Sequence, residues 1–226
     1  MSYQEQAPTQ VAAPDTADEH DRTLAPSRLL LVRHGESTWN AGRRIQGQLD
    51  PPLSDRGLTQ AQEVAERFAG HRLEGLYSSD LVRAMRTAEL IGAAVGVEPM
   101  AEPGLREIAL GEWEGKTREE LMEEYPGVWE RWSREPDWDL VPGGEGAAPF
   151  AERVNATLER LRERHPRGDV LCVTHGGVIQ VAVLDVVGRA SRGIFPFLIE
   201  NCSLTVIQRT TRRTVVTAVN DTCHLS

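Results

Sequence analysis

The chain has 226 residues, of which 40% are apolar and 26% charged, and this composition is sufficient for one folded domain with a sizeable core. Its formal net charge of −9 argues against a general nucleic-acid or anionic-membrane binder, since such proteins present a basic face. No apolar run approaches the roughly 20 residues of a membrane span, so we expect no transmembrane segment.

Residues 1–26 predict a disordered N-terminal tail, because they are rich in Ala, Pro, Gln, Asp and Thr and show no aliphatic periodicity. This segment also lacks the basic start and apolar centre of a signal peptide. The three cysteines, Cys172, Cys202 and Cys223, are odd in number and widely spaced, which predicts neither a disulfide framework nor a zinc site. We therefore expect a cytoplasmic protein with one folded domain over residues 27–226.

The folded part begins with "RLLLV" (28–32), an apolar run that predicts a buried strand. A helix is predicted for "GLTQAQEVAERFAG", where Leu58, Ala61, Ala65 and Phe68 share one face. The stretch "PDWDLVPGGEGAAP" (136–149) has the composition of a loop. The other predicted elements are strands over 73–79 and 169–175, helices over 80–95, 117–133, 147–165 and 178–187, and a C-terminal hairpin of "SLTVIQRT" and "RTVVTAVN".

The strand candidates are apolar throughout rather than alternating, which indicates a sheet covered by other elements on both faces. The sequence contains no internal repeat and no second linker. Short apolar runs alternate with helical periods, so the pattern favours one α/β domain.

Charged and imidazole side chains follow three predicted strands at their carboxyl ends. Arg33 and His34 follow the first strand, His175 follows "VLCVT", and Arg83 lies early in the helix after "GLYSS". If these strands are parallel neighbours, the four side chains meet in one pocket, because open α/β sheets bind ligands outside the carboxyl ends of their strands. Arginine forks match phosphoryl oxygens, so the pattern predicts a phosphate site. The alternative is that Arg33 and His34 form a structural pair with an internal carboxylate.

A phosphate site with two histidines suggests nucleophilic chemistry. A neutral imidazole attacks phosphorus, and neighbouring positive charge keeps it neutral by lowering its pKa. His34 would be the nucleophile, and Arg33, Arg83 and His175 would hold the equatorial oxygens, with no metal or other cofactor needed. Glu107, in "LREIALGEWEGKT", is the candidate proton donor to the leaving oxygen; burial would raise its pKa and the arginines would lower it.

Four segments, "LVRHGESTWN", "SSDLVRAMRTA", "LREIALGEWEG" and "VTHGG", together resemble the histidine phosphatase superfamily, which includes cofactor-dependent phosphoglycerate mutases. The resemblance implies a phosphoglycerate mutase-like, three-layer α/β/α fold with a mostly parallel central sheet. It also implies that His34 is the nucleophile, that Glu107 is the proton donor, and that Asn40 helps to bind phosphate or substrate. The family's second arginine falls on Arg83 rather than Arg86, because "SDLVRA" matches its pattern.

The sequence departs from the mutase pattern after the acidic residue, since "LGEWEGKT" is similar to the phosphatase branch. Gly146 stands where the family often has serine, which weakens a substrate role for Glu145. Gln46, in the loop after the nucleophile, is a candidate substrate contact. Gly176 is a candidate phosphate-binding residue, because the glycines after each histidine allow a close approach of the backbone.

Several other residues have simpler interpretations. Glu112 and Glu114 flank Trp113 and are expected to face solvent, and Cys172 is expected to be an inert core residue. The four tryptophans between 113 and 138 form either an aromatic wall over the pocket or part of the core. The histidines outside the matched segments, His20, His71, His165 and His224, are expected at the surface.

We therefore predict a metal-independent phosphomonoester hydrolase that acts through a phosphohistidine on His34. The chief alternative is a phosphoglycerate mutase-type phosphotransferase, in which the phosphoryl group returns to the bound product. A lower-ranked alternative is a non-catalytic, phosphate-binding regulatory module. The expected partner is a small-molecule phosphomonoester, with no nucleic acid or membrane, and the sequence leaves a homodimer open. The physiological substrate is not readable from the motifs.

Overall fold

The structure, a computed structural model, describes residues 26–193 and 197–226. Within these residues the strands are β1 (Ser27–Arg33), β2 (Gly75–Ser78), β3 (Met100–Ala101), β4 (Gly168–Thr174), β5 (Leu204–Arg209) and β6 (Thr214–Asp221). The helices are α1 (Thr38–Ala41), α2 (Asp55–Phe68), α3 (Val82–Val95), α4 (Arg118–Glu124), α5 (Pro126–Arg134), α6 (Ala147–Arg164) and α7 (Gly176–Val186). Short 3₁₀ helices lie at Pro103–Leu105, Gly111–Trp113 and Trp138–Leu140.

The six strands form one mixed sheet in the order β3-β2-β4-β1-β5-β6. The first four strands in this order are mutually parallel, whereas β5 pairs antiparallel with both β1 and β6. The predicted α/β fold with a mostly parallel sheet and the predicted C-terminal hairpin are therefore confirmed.

Side chains of the central strands alternate between two buried clusters. In β1, Leu29 and Leu31 belong to the cluster with α6 and α7, while Leu30 and Val32 belong to the cluster with α2 and α3. The same alternation runs along β4. Each fully buried aliphatic side chain contributes about 1.5–3 kcal/mol, so a strand apolar on both faces stabilises a helical layer on each side. This arrangement is the predicted three-layer sandwich.

The segment 117–133, predicted as helical, is helical and is divided into two helices, α4 and α5. Tyr125 ends α4 with φ −129°, and Pro126 is the first residue of α5. The first N–H groups of a helix have no intrahelical acceptor, so proline, which lacks an N–H, costs no hydrogen bond there. The 147–165 prediction agrees with α6, which buries Phe150, Val154 and Leu158 at helical spacing.

The predicted tail, residues 1–26, lies outside the described residues except for Pro26, so its disorder and the domain boundary stay predictions. Among the helices of the described ranges, none combines the length and the apolar content that a bilayer span requires.

Candidate active site

The carboxyl ends of β1 and β4 carry the two histidines of the predicted site. The register pairs Arg33 with Thr174, so His34 and His175 are the next residues on two adjacent parallel strands. The backbone N–H of His34 donates to the Thr174 carbonyl at 2.9 Å, and the two ring centroids are 5.0 Å apart. The prediction that these two motifs meet at one sheet edge is therefore confirmed.

Arg83 reaches the same place from the other side of β4. β2 is parallel to β4, and α3 begins four residues after β2 ends, which puts Arg83 in the first turn of this helix. Its side chain is 1% exposed. Arg86, one turn further on, is half-exposed and pairs with Glu89 at 2.9 Å. The sequence-based choice of Arg83 over Arg86 for the pocket agrees with this geometry.

The side chains meet around a cavity of about 210 Å³. Seven of the eight predicted site residues line it: Arg33, His34, Asn40, Gln46, Arg83, Glu107 and His175. Gly176, the eighth, begins α7 and is not among the described residues that line the cavity. The remaining lining residues are Arg44, Ile45, Gly47, Ile108, Leu110 and Trp138.

Two buried guanidinium groups give the cavity its charge. Arg33 donates from Nη1 to the Ile199 carbonyl at 2.5 Å, and Arg83 donates from Nη1 and Nη2 to the carbonyls of Leu49 and Gly47 at 2.7 and 2.8 Å. In both residues Nε is buried and has no hydrogen-bond partner within the described part of the chain. Burial lowers the pKa of Arg83 to about 10 and also lowers the pKa of Arg33. Buried cations held mainly by carbonyls match an anionic ligand.

His34 is held with one nitrogen oriented as a nucleophile. Its Nδ1 lies 2.7 Å from the Gly35 carbonyl, which accepts only from an N–H, so Nε2 carries the lone pair. Burial, followed by the charges of Arg83 and Arg33, holds the pKa of His34 well below its ordinary value. A neutral imidazole with a fixed tautomer is what attack on phosphorus requires.

This low pKa predicts that both histidines stay neutral in mild acid. An ordinary histidine is about 90% protonated at pH 5.5. Because burial lowers the pKa of His34 and of His175, we expect both rings in the neutral form at that pH. The nucleophile is then available over a wider pH range than an ordinary histidine would be. A long-range ¹H–¹⁵N NMR titration of the histidine rings measures this directly. A midpoint near 6.5 for either ring would contradict the prediction.

His175 is oriented by a buried serine that the sequence analysis did not single out. Ser79 Oγ lies 2.8 Å from His175 Nε2 and also accepts from the Leu81 N–H at 3.4 Å. The hydroxyl is therefore suited to donate to Nε2, which leaves the ring proton on Nδ1. His175 Nδ1 is buried without a hydrogen-bond partner in the described ranges. A donor in this position fits a phosphoryl oxygen.

The Ser79→Ala variant is expected to lower kcat/KM by about tenfold, the value of one hydrogen bond, because the His175 tautomer is no longer fixed. The matched control is Ser78→Ala, since the Ser78 hydroxyl is equally buried but donates to the Ser79 carbonyl. Steady-state kinetics with p-nitrophenyl phosphate compare the two variants. Equal rates in the Ser79 and Ser78 variants would remove the orienting role of Ser79.

Glu107 is anchored at the cavity by backbone groups. Its Oε2 accepts from the Gly177 N–H at 3.1 Å and its Oε1 accepts from the Ile108 N–H at 3.0 Å. Gly177 leaves room for this carboxylate, because a Cβ here would overlap Glu107 Oε1 and would displace it. Gly35 leaves room for the Gly57 backbone, so both glycines have a structural reason in addition to the predicted approach of a ligand.

Asn40 and Gln46 are arranged by a small amide network. Asn40 Oδ1 accepts from the Ser37 N–H at 3.1 Å and from Asn201 Nδ2 at 3.4 Å. Its own Nδ2 has no hydrogen-bond partner in the part of the chain that the structure describes, so it is suited to face an anion. Ser37 Oγ donates to Gln46 Oε1 at 2.7 Å. Asn201 also donates to the His34 carbonyl at 2.9 Å. Asn201 was missed because it lies just before β5 in a segment without a recognisable motif.

Other polar residues differ from their predicted environments. Glu112 is exposed as predicted, but Glu114 is half-buried and points inward, accepting hydrogen bonds from two backbone N–H groups. Of the four histidines predicted at the surface, His20 lies outside the described residues, and the other three are half-buried and bonded. His71 pairs with Asp169 at 2.6 Å, His165 contacts the Tyr77 hydroxyl at 2.8 Å, and His224 contacts the Cys202 carbonyl at 3.0 Å.

The tryptophans between 113 and 138 belong mainly to the core, and one of them also lines the cavity. Trp113 and Trp138 are buried in the core, and Trp132 packs between them with ring centroids 5.1 and 4.8 Å away. Trp138 also lines the cavity.

Glu145 forms an ion pair with Arg153 at 2.8 Å. Within the described ranges, no three His, Cys, Asp or Glu side chains are grouped as metal ligands.

A parallel sheet edge with two neutral histidines between two buried guanidiniums defines a phosphatase of the histidine type. The chain belongs to the histidine phosphatase superfamily: its residues 29–222 match the family model described as histidine phosphatase superfamily (branch 1).

Similar proteins include both phosphatases and a mutase. Phosphoserine phosphatase 1 of Hydrogenobacter thermophilus is 39% identical over 198 residues, covering 88% of this chain and 94% of that protein. The metal-independent phosphoserine phosphatase of Arabidopsis thaliana is 34% identical over 203 residues, 88% and 84% of the two chains. A probable phosphoglycerate mutase of Cronobacter sakazakii is 36% identical over 182 residues, 78% and 82% of the two chains. The solved structure of Bacillus stearothermophilus YhfR has a TM-score of 0.80 at 29% identity, covering 88% of this chain and all of that one (100%).

Proposed function

We propose that the protein hydrolyses small phosphomonoesters through a phosphohistidine on Nε2 of His34, without a metal ion. The observation that carries the proposal is the orientation of His34: its Nδ1 faces the Gly35 carbonyl, and its ring lies 5.0 Å from His175 beside two buried guanidiniums. Phosphoryl-transfer catalysis usually depends on fixed positive charges that stabilise the negative charge of the transition state in a largely desolvated cavity.

The proposed reaction has two steps. In the first, the Nε2 lone pair of His34 attacks phosphorus, the P–O bond to the leaving group breaks, and Glu107 gives its proton to the departing oxygen. In the second, water attacks phosphorus, passes a proton to Glu107, and the P–N bond breaks to release inorganic phosphate and neutral His34. Arg33, Arg83 and His175 hold the three non-bridging oxygens throughout.

Independence of metal ions is supported by the built-in charge of the site. Arg33 and Arg83 supply two positive charges at the cavity. Among the described residues, Arg33 forms no ion pair, and Arg83 forms only a long one with the half-exposed Asp50, at 4.0 Å. The name of the Arabidopsis thaliana relative describes that protein as metal-independent. We expect EDTA to leave kcat unchanged, and a loss that Mg²⁺ or Zn²⁺ restores would contradict the proposal.

The cavity and the relatives support a small substrate with a carboxylate, such as phosphoserine. Arg44, 40% exposed, lines the cavity with the apolar Ile45 and Leu110. Its Nη1 donates to Glu120 at 3.0 Å, so a substrate carboxylate would share the guanidinium with this exposed ion pair. Phosphoserine and phosphoethanolamine differ only by the carboxylate, so they form a matched pair. We expect kcat/KM for phosphoserine to be higher by about tenfold or more. Equal values would contradict a carboxylate-recognising site.

The second candidate is a phosphoglycerate mutase activity, which the Cronobacter sakazakii relative's name favours. Both reactions share the first step, so they differ in whether water or the bound product takes the phosphoryl group. Incubation with 3-phosphoglycerate, followed by measurement of both 2-phosphoglycerate and free phosphate, separates them. Isomerisation much faster than phosphate release would reject the hydrolase in favour of the mutase.

A further inference from the structure

A short turn after the nucleophile holds the phosphate-binding arginine. We call residues 47–49 the 47–49 turn. The carbonyls of Gly47 and Leu49 both accept from the Arg83 guanidinium, at 2.8 and 2.7 Å. Because these two hydrogen bonds fix the plane of the guanidinium, the position of the turn decides where Arg83 presents its remaining donors.

The same turn also contacts the proton donor. Gln48 donates from its side-chain Nε2 to the Glu107 carbonyl at 3.1 Å. The 47–49 turn therefore touches both the group that binds phosphate and the residue that protonates the leaving oxygen. A displacement of the turn would move both relative to His34.

Glu114 holds the turn in place. Its Oε1 accepts from the Gln48 N–H at 2.9 Å and from the Leu110 N–H at 2.9 Å, so one carboxylate oxygen ties the turn to the segment that follows Glu107. Gly47 has φ +52°, and a Cβ at this position would overlap the Glu114 carboxylate. The close contact explains why glycine is needed there beyond its positive φ.

We infer that Glu114 is a positioning residue: by accepting from Gln48 and Leu110 it sets the 47–49 turn, and through the turn it orients Arg83 for phosphate and Glu107 for proton transfer. The inference rests on the proposed function in assigning those two roles. A misplacement of a catalytic group by about 1 Å reduces rates by about 100-fold, so an indirect role of this kind is large enough to measure.

The test compares three variants with p-nitrophenyl phosphate as substrate and orthovanadate as inhibitor. Glu114→Ala removes the acceptor and is expected to lower kcat/KM by about 10- to 100-fold and to weaken vanadate inhibition by about tenfold. Glu114→Gln keeps an acceptor oxygen without the charge and is expected to stay within about threefold of the wild type. Glu112→Ala is the matched control, since Glu112 is exposed and accepts from the Tyr125 hydroxyl.

Rescue by glutamine separates positioning from a loss of fold or of charge. If the alanine variant does not fold, Glu114→Asp, which is one methylene shorter, is expected to show the same losses in weaker form. Wild-type kcat/KM and vanadate inhibition in the alanine or aspartate variant would overturn the inference, and so would a glutamine variant as impaired as alanine. Calorimetric titration with inorganic phosphate gives an independent readout: if the wild type hydrolyses nothing, the proposed function fails, while weaker phosphate binding in Glu114→Ala still supports the positioning role.

Discussion

The His34→Ala variant is expected to lose p-nitrophenyl phosphate hydrolysis by about 10⁴-fold or more in kcat, since removing a covalent nucleophile has effects of this size. The imidazole is 3% exposed. His175, which also lines the cavity, has its Nε2 bonded to Ser79 Oγ at 2.8 Å, so it is not expected to replace His34 as nucleophile. Arg33 and Arg83 are unchanged in the variant, so binding of inorganic phosphate is expected to remain. Steady-state kinetics and calorimetry measure the two quantities separately.

The matched control is His71→Ala. His71 is bonded to Asp169 near the start of β4, at the opposite end of this strand from His175. Its loss is expected to leave kcat unchanged within about twofold, as for a substitution away from the site. Unchanged hydrolysis in His34→Ala would remove the mechanism. Loss of both activity and phosphate binding would instead indicate a damaged site.

The Glu107→Ala variant is expected to show a substrate-dependent defect. For phosphoserine, whose alkoxide leaving group needs a proton, kcat is expected to fall by about 10²- to 10⁴-fold. For p-nitrophenyl phosphate, whose leaving group departs as a stable phenolate, the first step needs no proton, so its burst of p-nitrophenol is expected to slow much less. The second step, in which Glu107 takes the proton of water, is expected to slow equally for both substrates. Alanine is preferred to glutamine, because an amide would direct its NH₂ group at a backbone N–H of Gly177 or Ile108.

The ratio of the two substrates makes this prediction independent of expression or folding. A variant with a general loss of structure would lose activity on both substrates equally. Equal losses in the single-turnover rate of the first step would therefore contradict the role of Glu107 as proton donor, whatever their size. A melting temperature near that of the wild type completes the control.

The parts of the site that the sequence predicted are those carried by adjacent strands. Apolar runs at β1 and β4 identify buried neighbours, and parallel neighbours bring their carboxyl ends together, so His34 and His175 were expected to meet. The break between α4 and α5 was less predictable, because a helix is sometimes continuous through proline with a kink and sometimes divided there.

The residues that the sequence did not predict are those whose roles depend on which way a side chain turns. Glu114 lies in an alternating stretch in which Glu112 is exposed, and alternation alone placed both carboxylates in solvent; the 3₁₀ turn at Gly111–Trp113 instead rotates Glu114 inward. Ser79 lies within the quoted segment "SSDLVRAMRTA" but received no role there, and Asn201 is a single polar residue without a motif. Their contacts with His175 and His34 depend on the sheet register, which the sequence does not state.

Trapping the covalent intermediate tests the account most directly. The protein is mixed with excess ³²P-labelled phosphoserine, denatured within milliseconds in alkaline detergent, and digested for peptide mapping. The account predicts a burst of bound label approaching one phosphoryl group per active chain, stable in alkali, lost in acid, located on the peptide that contains His34 and absent in His34→Ala. Hydrolysis that proceeds without protein-bound label under these conditions, or label on His175 or on a serine, would contradict it.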